Sequence, residues 1–163
     1  MIIGLISDTH IPHHAKELPS QIKSVFRGVD LILHAGDVFW PYVLDELETI
    51  APVLVSRGDE DLFDIADDKR VKLQQVLTFE DVTIWLIHRG PQAWPPISVL
   101  QYENPPDVFI FGDTHEAVLE NHSGILYINP GSPTFPHYKL ELGTVGLLTI
   151  NSGKAEAQII QLH

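Results

Sequence analysis

Residues 2–10 read Ile-Ile-Gly-Leu-Ile-Ser-Asp-Thr-His, a short apolar run that leads into Asp8 and His10. A continuous apolar run of this length is typical of a buried parallel β-strand. In open α/β sheets, ligands bind in the crevice beyond the carboxyl ends of such strands. The segment therefore predicts a first strand with two potential ligand side chains just past its end.

The same arrangement occurs five times along the chain. The runs and the polar residues that follow them are Ile2–Ile6 with Asp8 and His10, Leu31–Leu33 with Asp37, Val53–Val55 with Asp59, Ile84–Ile87 with His88, and Val108–Phe111 with Asp113 and His115. Seven carboxylate or imidazole donors are more than one cation usually takes from a protein. The pattern predicts a centre for two metal ions.

A glycine lies within two residues of a candidate ligand in four of these segments, at Gly36, Gly58, Gly90 and Gly112. Glycine permits the sharp turns and the close backbone approach that a crowded ion site requires. The glycines therefore strengthen the metal-site interpretation.

Composition limits the classes of function. The 163 residues suit one domain spanning 1–163, with 44% hydrophobic and 20% charged residues. A net charge of −12 argues against nonspecific binding to nucleic acid or to an anionic membrane. The chain has no cysteine, which excludes disulfides and thiolate ligands. With no signal peptide and no apolar stretch of about 18 residues, we expect a cytoplasmic protein, and a homo-oligomer is left open.

The first third of the chain predicts a βαβαβ unit with parallel strands. Its elements are strand 2–7, helix 16–27, strand 30–35, helix 41–50 and strand 53–56. The later elements are a hairpin of 71–79 and 82–88, a short helix near 97–102, strand 108–111, and hairpins 117–120 with 125–128 and 143–150 with 155–162. We expect an early, largely parallel sheet packed on a late, largely antiparallel one, with helices outside, as an αββα sandwich.

Five motifs in this order resemble those of the calcineurin-like metallophosphoesterases: Asp8-Thr9-His10, Gly36-Asp37, Gly58-Asp59, His88 and Gly112-Asp113-Thr114-His115. The segment Asn129-Pro130-Gly131-Ser132 is similar to the small bacterial and archaeal phosphodiesterase branch of that family. That branch shares its fold with a non-catalytic subunit of the retromer coat. The resemblance spans nearly the whole chain.

The resemblance implies a role for each donor. Asp8, His10 and His115 would bind metal 1, Asp59, His88 and Asp113 would bind metal 2, and Asp37 would bridge them. A hydroxide between the metals would attack phosphorus, with Asp37, Asp59 and His88 as catalytic residues. This donor set favours Mn²⁺ or an iron, while Zn²⁺, Ni²⁺ and Mg²⁺ stay open.

Two positions depart from the family, and both belong to metal 2. Relatives usually have Asn at the place of Asp59 and His at the place of Asp113. The site would then contain four carboxylates, which formally cancel two divalent cations. A neutralised centre should attract a dianionic monoester less strongly, so the sequence favours phosphodiesters as substrates.

Further side chains are candidates for contact with a small phosphate-ester substrate. Glu60 stands where larger relatives have His, and Arg89 separates His88 from Gly90, so it either tilts His88 or clamps phosphate. Trp40 and Trp94 follow ligand-bearing strands, where they could wall a substrate pocket.

The leading hypothesis is a metal-dependent phosphodiesterase. The alternatives are a catalytically weak or inactive binding or scaffold protein with the same fold, and a nucleotide-processing enzyme with a narrow substrate range. Activity that depends on added metal and on Asp37 would separate the first from the second.

Overall fold

The computed structural model describes residues 1–92 and 96–163. The strands within these ranges are β1 Ile2–Ile6, β2 Leu31–His34, β3 Val53–Ser56, β4 Val71–Lys72, β5 Gln74–Phe79, β6 Val82–Ile87, β7 Val108–Ile110, β8 Ala117–His122, β9 Ile125–Pro130, β10 Thr144–Asn151 and β11 Lys154–Gln161. The α-helices are α1 Gln21–Val25 and α2 Pro41–Glu48, and the 3₁₀ helices are Ile97–Gln101 and Pro136–Tyr138.

The strands form two sheets. The first has the order β11-β10-β1-β2-β3-β4, in which β1 to β4 are parallel and β10 and β11 are antiparallel to their neighbours. The second has the order β5-β6-β7-β9-β8, with a parallel centre and one antiparallel strand at each edge. Both sheets are mixed.

The last hairpin therefore lies in a different sheet from the one we expected. Strands β10 and β11 extend the early sheet, because β10 pairs along the edge of β1 that β2 leaves open. This pairing buries Leu148 and Ile150 of β10 against Ile3 and Leu5 of β1. The predicted division into an early parallel and a late antiparallel sheet is wrong in this respect, since sequence order does not determine which edge a hairpin joins.

The two sheets pack face to face through alternating side chains. Ile3 and Leu5 of β1 pack with Ile84 of β6 and Ile110 of β7 in the core between the sheets. Ile6, on the opposite face of β1, packs in a second core that includes residues of both helices. The period of two along each strand thus separates the two cores.

Helices cover the outer faces unequally. Helix α2 begins at Pro41 as expected, whereas α1 is much shorter than the predicted helix 16–27. Pro19 disfavours helical geometry at the residue before it, so the regular helix begins only afterwards. On the outer face of the second sheet, the 3₁₀ helix Ile97–Gln101 contributes Val99 to a cluster with Phe109. The architecture is an αββα sandwich with one thin outer layer.

The parallel strands place the candidate ligands at one edge of the sandwich. The first sheet delivers the loops after β1, β2 and β3 there, and the second delivers the loops after β6 and β7. No helix among residues 1–92 and 96–163 is long and apolar enough to cross a membrane.

Candidate metal centre

Asp8, His10 and His115 come together from opposite sheets as a buried group. The Nε2 atoms of His10 and His115 lie 3.0 Å apart, and Asp8 Oδ1 lies 3.9 Å and 3.7 Å from them. Two nitrogens at about 2.1 Å from one cation, at right angles, would be about 3.0 Å apart. The three side chains can therefore share one ion.

Asp37 lies between this group and His88. Its Oδ2 atom is 3.7 Å from His10 Nε2 and 3.4 Å from His88 Nε2. The other oxygen, Oδ1, accepts a hydrogen bond from the backbone N–H of Glu60 at 3.0 Å. Asp37 is thus held in the position that a bridging carboxylate would occupy.

Asp59, His88 and Asp113 form a second group whose donor atoms all lie within 4.8 Å of one another. His88 Nε2 is 3.8 Å from Asp113 Oδ1. His88 is buried, whereas the side chains of Asp59 and Asp113 are 44% and 42% exposed. All seven predicted donors are brought together, one group in the interior and the other at the rim.

The imidazole orientations suit metal binding. Nδ1 of His88 donates to the carbonyl of Ala35 at 2.7 Å, and Nδ1 of His115 donates to the carbonyl of Phe135 at 2.8 Å. Each bond leaves Nε2 directed at the carboxylates, which is the usual way that a protein fixes a metal-binding histidine. His88 Nε2 is buried and has no hydrogen-bond partner among the described residues. A cation would supply the missing partner.

Without metal, the buried donors shift one another's protonation. Burial raises the pKa of Asp8 to about 7, and burial lowers the pKa of His10 to about 4. Burial alone would lower the pKa of His88, but the Asp37 carboxylate, 3.4 Å from its Nε2, and the charge of Asp8 raise it to about 9. The metal-free site therefore holds a proton on His88 at neutral pH.

Backbone geometry at the site is unusual. Positive φ angles occur at five of the seven candidate ligands, which are Asp8 at 51°, His10 at 45°, Asp37 at 57°, Asp113 at 72° and His115 at 57°. Non-glycine residues adopt this left-handed region rarely, at a cost of about 1–3 kcal/mol each, and such strain concentrates at functional sites.

The backbone at Gly58 lies very close to Asp37, as the interpretation of the glycines near the site predicts. A Cβ atom added to Gly58 would fall on the backbone nitrogen and the carboxylate of Asp37. A Cβ on Gly36 would meet His88 Nδ1 at 2.6 Å. Larger side chains at these positions would push the ligands apart.

Asp61 is a site residue that the sequence reasoning missed. Its side chain is fully buried and accepts hydrogen bonds from the backbone N–H groups of Asp37 at 2.9 Å, Val38 at 2.7 Å, Phe39 at 3.0 Å and Gly58 at 2.8 Å. It thereby joins the loop after β2 to the loop after β3. The only signal in the sequence is a second aspartate two residues after Asp59, which loops commonly contain.

The segment 129–132, which was interpreted as a turn, is the end of β9 and the two residues after it, and two of its side chains support the site. Asn129 Nδ2 donates to the carbonyl of Gly112 at 2.9 Å, and Ser132 Oγ donates to the carbonyl of Asp8 at 2.7 Å. Ser7 Oγ donates to Asp8 Oδ2 at 2.5 Å. These bonds fix the loops that carry Asp8, Asp113 and His115.

The two candidate substrate contacts lie at the rim. Arg89 donates from Nε to Asp59 Oδ2 at 2.8 Å and from Nη2 to the same oxygen. His88 keeps its place in the centre, so the inserted Arg89 does not tilt it out of the site. Glu60 is exposed, with Oε2 at 3.3 Å from His10 Nδ1.

Two clefts open at this edge. One, of about 320 Å³, exposes the metal centre and includes His14, Asp59 and Glu60 in its lining. A larger one of about 780 Å³ shares those three residues and extends past Trp40. Trp40 therefore lines a cleft as expected, while Trp94 lies outside the described residues.

The comparisons with known proteins identify the family of the chain. A sequence profile of the calcineurin-like phosphoesterase superfamily domain matches residues 1–153. The chain belongs to this superfamily. A probable metallophosphoesterase of Methanothermobacter thermautotrophicus is 39% identical over 164 residues, which cover 99% of this chain and 92% of that protein.

Two solved structures have a similar fold. Wild-type Vps29 of Entamoeba histolytica, complexed with zinc, matches with a TM-score of 0.76 and 23% identity over 99% of each chain. A novel archaeal phosphodiesterase matches with a TM-score of 0.71 and 24% identity over 98% of this chain and 100% of that one. At these identities the likeness concerns the fold alone.

Proposed function

We propose that the protein is a phosphodiesterase that uses two divalent cations. The observation that carries the proposal is the position of Asp37, with Oδ2 at 3.7 Å from His10 Nε2 and 3.4 Å from His88 Nε2. A carboxylate between two donor groups is the element that a two-ion site needs and a single-ion site does not. Membership of the calcineurin-like phosphoesterase superfamily supports phosphoester hydrolysis, and the archaeal phosphodiesterase of the same fold motivates the choice of a diester.

The cations would bind in two unequal places. Asp8, His10 and His115 would hold the first, and Asp59, His88 and Asp113 the second, with Asp37 shared. When bound, the pair would ionise a shared water near neutral pH and neutralise charge on the phosphoryl oxygens. Mn²⁺ or iron suits this mixture of carboxylate and imidazole, and the zinc complex of Vps29 keeps Zn²⁺ among the candidates.

Hydrolysis would add one water across one ester bond. The water oxygen bonds to phosphorus, the P–O ester bond breaks with its electron pair on the ester oxygen, and that oxygen takes a proton. The products are a phosphate monoester and an alcohol. Glu60 lies at the opening near His10 and stands where larger relatives have a His that acts as a general acid or phosphate contact. Because that His is absent, we expect rates to depend strongly on a good leaving group.

Charge favours a diester. Asp8, Asp37, Asp59 and Asp113 provide four carboxylates around the places for two cations. At such a neutralised centre, the second negative charge of a dianionic monoester adds little to binding, so the monoester lacks the advantage that it would have at a positively charged centre. Arg89 uses two of its five N–H donors on Asp59, and the remaining donors are proposed to contact the phosphate.

The test is hydrolysis of bis(p-nitrophenyl) phosphate and of p-nitrophenyl phosphate with Mn²⁺. We expect a higher kcat/KM for the diester and loss of both activities in Asp37→Ala. A monoester preference above tenfold, about 1.4 kcal/mol of transition-state stabilisation, would contradict the charge argument. Activity that survives in Asp37→Ala would contradict the shared-carboxylate mechanism.

The same experiment addresses the binding or scaffold alternative. The fold likeness to Vps29 motivates that alternative. Its expected result is metal binding by the native chain without any turnover of either ester.

A further inference from the structure

The larger cleft beside the metal centre has no role in the mechanism above. Its volume of about 780 Å³ lies within the range of small-molecule pockets, about 300–1,000 Å³. It shares His14, Asp59 and Glu60 with the cleft over the metal centre. A molecule whose phosphate lies at the metal centre can therefore place another of its groups in this cleft.

Large apolar side chains line this cleft and remain exposed. Trp40 is 49% exposed, Leu62 52% and Phe63 83%. Single exposed apolar residues are common on protein surfaces, but several around one concave site mark a binding surface.

The cleft wall is built on the same loops as the metal centre. Phe39, with φ at 78°, packs edge-on against His13 with ring centres 4.4 Å apart. Asp61 accepts hydrogen bonds from the N–H groups of both Phe39 and Asp37. The wall and the shared carboxylate are therefore fixed relative to each other.

Charge restricts what the cleft can hold. Asp59, Glu60 and Asp64 contribute carboxylates, and none of the described residues that line it is Lys or Arg. A second phosphate or another anion would be repelled. The group that enters must be uncharged or cationic.

An uncharged ring fits better than a cation. A base stacked on an exposed aromatic side chain gains about 1–3 kcal/mol, whereas a cation over an exposed ring gains only about 0.5–1 kcal/mol. Trp40 and Phe63 are both exposed, so their rings are accessible to such a base.

We propose that this cleft binds the aromatic ring of one ester group of the substrate, so that the substrates are aryl or nucleoside phosphodiesters. The inference rests on the proposed function for the position of the phosphate. It goes further by naming the substrate class and the residues that select it.

The kinetic test uses two substrates with the same leaving group, phenyl p-nitrophenyl phosphate and methyl p-nitrophenyl phosphate. We expect the native chain to prefer the phenyl ester about tenfold in kcat/KM, and the double variant Trp40→Ala, Phe63→Ala to lose that preference. Tyr42→Ala is the matched control, because Tyr42 is an exposed aromatic residue of α2, two positions after Trp40 and outside the cleft lining. Unchanged kcat/KM for both substrates in the double variant would overturn the proposal.

A binding measurement separates this proposal from the proposed function. Phenylphosphonate and methylphosphonate, which are not hydrolysed, are titrated into the manganese-loaded protein by calorimetry. We expect tighter binding of the phenyl compound in the native chain and in Tyr42→Ala, and equal binding in the double variant. Equal binding in the native chain would overturn the cleft proposal even if both esters are hydrolysed, while absent hydrolysis with a preserved phenyl preference would contradict only the proposed function.

Discussion

His88 carries a proton that a metal ion must displace. Its pKa is raised to about 9, although burial alone would lower it, because Asp37 lies 3.4 Å from its Nε2. Below pH 9 the protonated form predominates in the metal-free protein, and Nε2 binds metal only when neutral. Metal affinity should therefore rise as the pH rises from 7 towards 9.

Calorimetric titration of Mn²⁺ at pH 7, in buffers that differ in ionisation enthalpy, measures this proton. We expect at least one proton released per chain, and less release in His88→Ala. His163→Ala, an exposed terminal histidine, serves as the control and should release as much as the native chain. An enthalpy that does not depend on the buffer would show that His88 is neutral before metal binds.

We infer that Asp61 is a positioning residue, because its carboxylate accepts hydrogen bonds from backbone N–H groups of both ligand loops. Its replacement by Ala would leave four N–H groups without their acceptor, which we expect to cost about 3 kcal/mol or more in the free energy of unfolding. Asp61→Asn keeps one carbonyl oxygen and should lose about half as much. Urea unfolding measures both, with the exposed Asp64→Ala as a control expected within about 0.5 kcal/mol of the native chain.

A purely structural role for Asp61 would leave metal binding intact in the folded Asn variant. We expect weaker metal binding there, because the bonds to the N–H groups of Asp37 and Gly58 hold the two ligand loops together. Native metal affinity in folded Asp61→Asn would contradict the positioning role.

At the scale of elements, Arg70 fastens the loop before β4 to helix α2. Its buried guanidinium donates to Asp68 at 2.6 Å and 2.9 Å and to Glu48 at 3.0 Å, and it pairs with Asp45 at 2.8 Å. Because Asp45 and Glu48 are partly exposed, we expect Arg70→Ala to cost about 2 kcal/mol rather than the larger loss seen for fully buried pairs. Thermal unfolding measures this, with exposed Lys72→Ala as the control.

The same network predicts a dependence on acid. The hydrogen bonds from Arg70 hold the pKa of Asp68 below its ordinary value. Its contribution to stability is therefore complete above the ordinary pKa and is lost as the pH falls through the lowered one. The stability difference between the native chain and Arg70→Ala should shrink in that range, and an unchanged difference would contradict this account.

Periodicity predicted most elements because side-chain burial follows it directly. Strand β3 has the expected bounds, and Glu80-Asp81 joins β5 and β6 as a hairpin. Helix α1 was predicted too long because the apolar spacing continues through Pro19. The sheet joined by β10 and β11 depends on a long-range pairing with β1 that no local pattern encodes.

The juxtaposition of the seven candidate donors was predictable, whereas the contacts that support them were not. Asp and His after apolar runs predict a shared edge of the sheets through spacing alone. The left-handed backbone at Asp37 and the four bonds to Asp61 arise only when loops from different strands meet. The ion pair between Asp59 and Arg89, which competes with a cation for the same carboxylate, likewise depends on packing.

For the whole molecule, metal should stabilise the fold. The chain has a net charge of −12, and several carboxylates lie close together at one edge of the sandwich. These carboxylates repel one another until cations bind. At a free Mn²⁺ concentration of 100 times Kd, one site adds about 2.7 kcal/mol, which is a rise in Tm of roughly 5–10 °C for a chain of this size. Differential scanning calorimetry with Mn²⁺ and with chelator measures it, and a rise as large in Asp37→Ala would contradict the assignment.

The central claim is that Asp37 is shared between two unequal metal sites. Titration of the chelator-treated protein with Mn²⁺, confirmed by elemental analysis, tests it most directly. For the native chain we predict two ions, of which the tighter binds at the buried group of Asp8, His10 and His115. The double variant Asp59→Ala, Asp113→Ala should bind one ion. Asp37→Ala should bind both ions more weakly. A single ion in the native chain, with affinity unchanged in the Asp59→Ala, Asp113→Ala variant, would contradict the account.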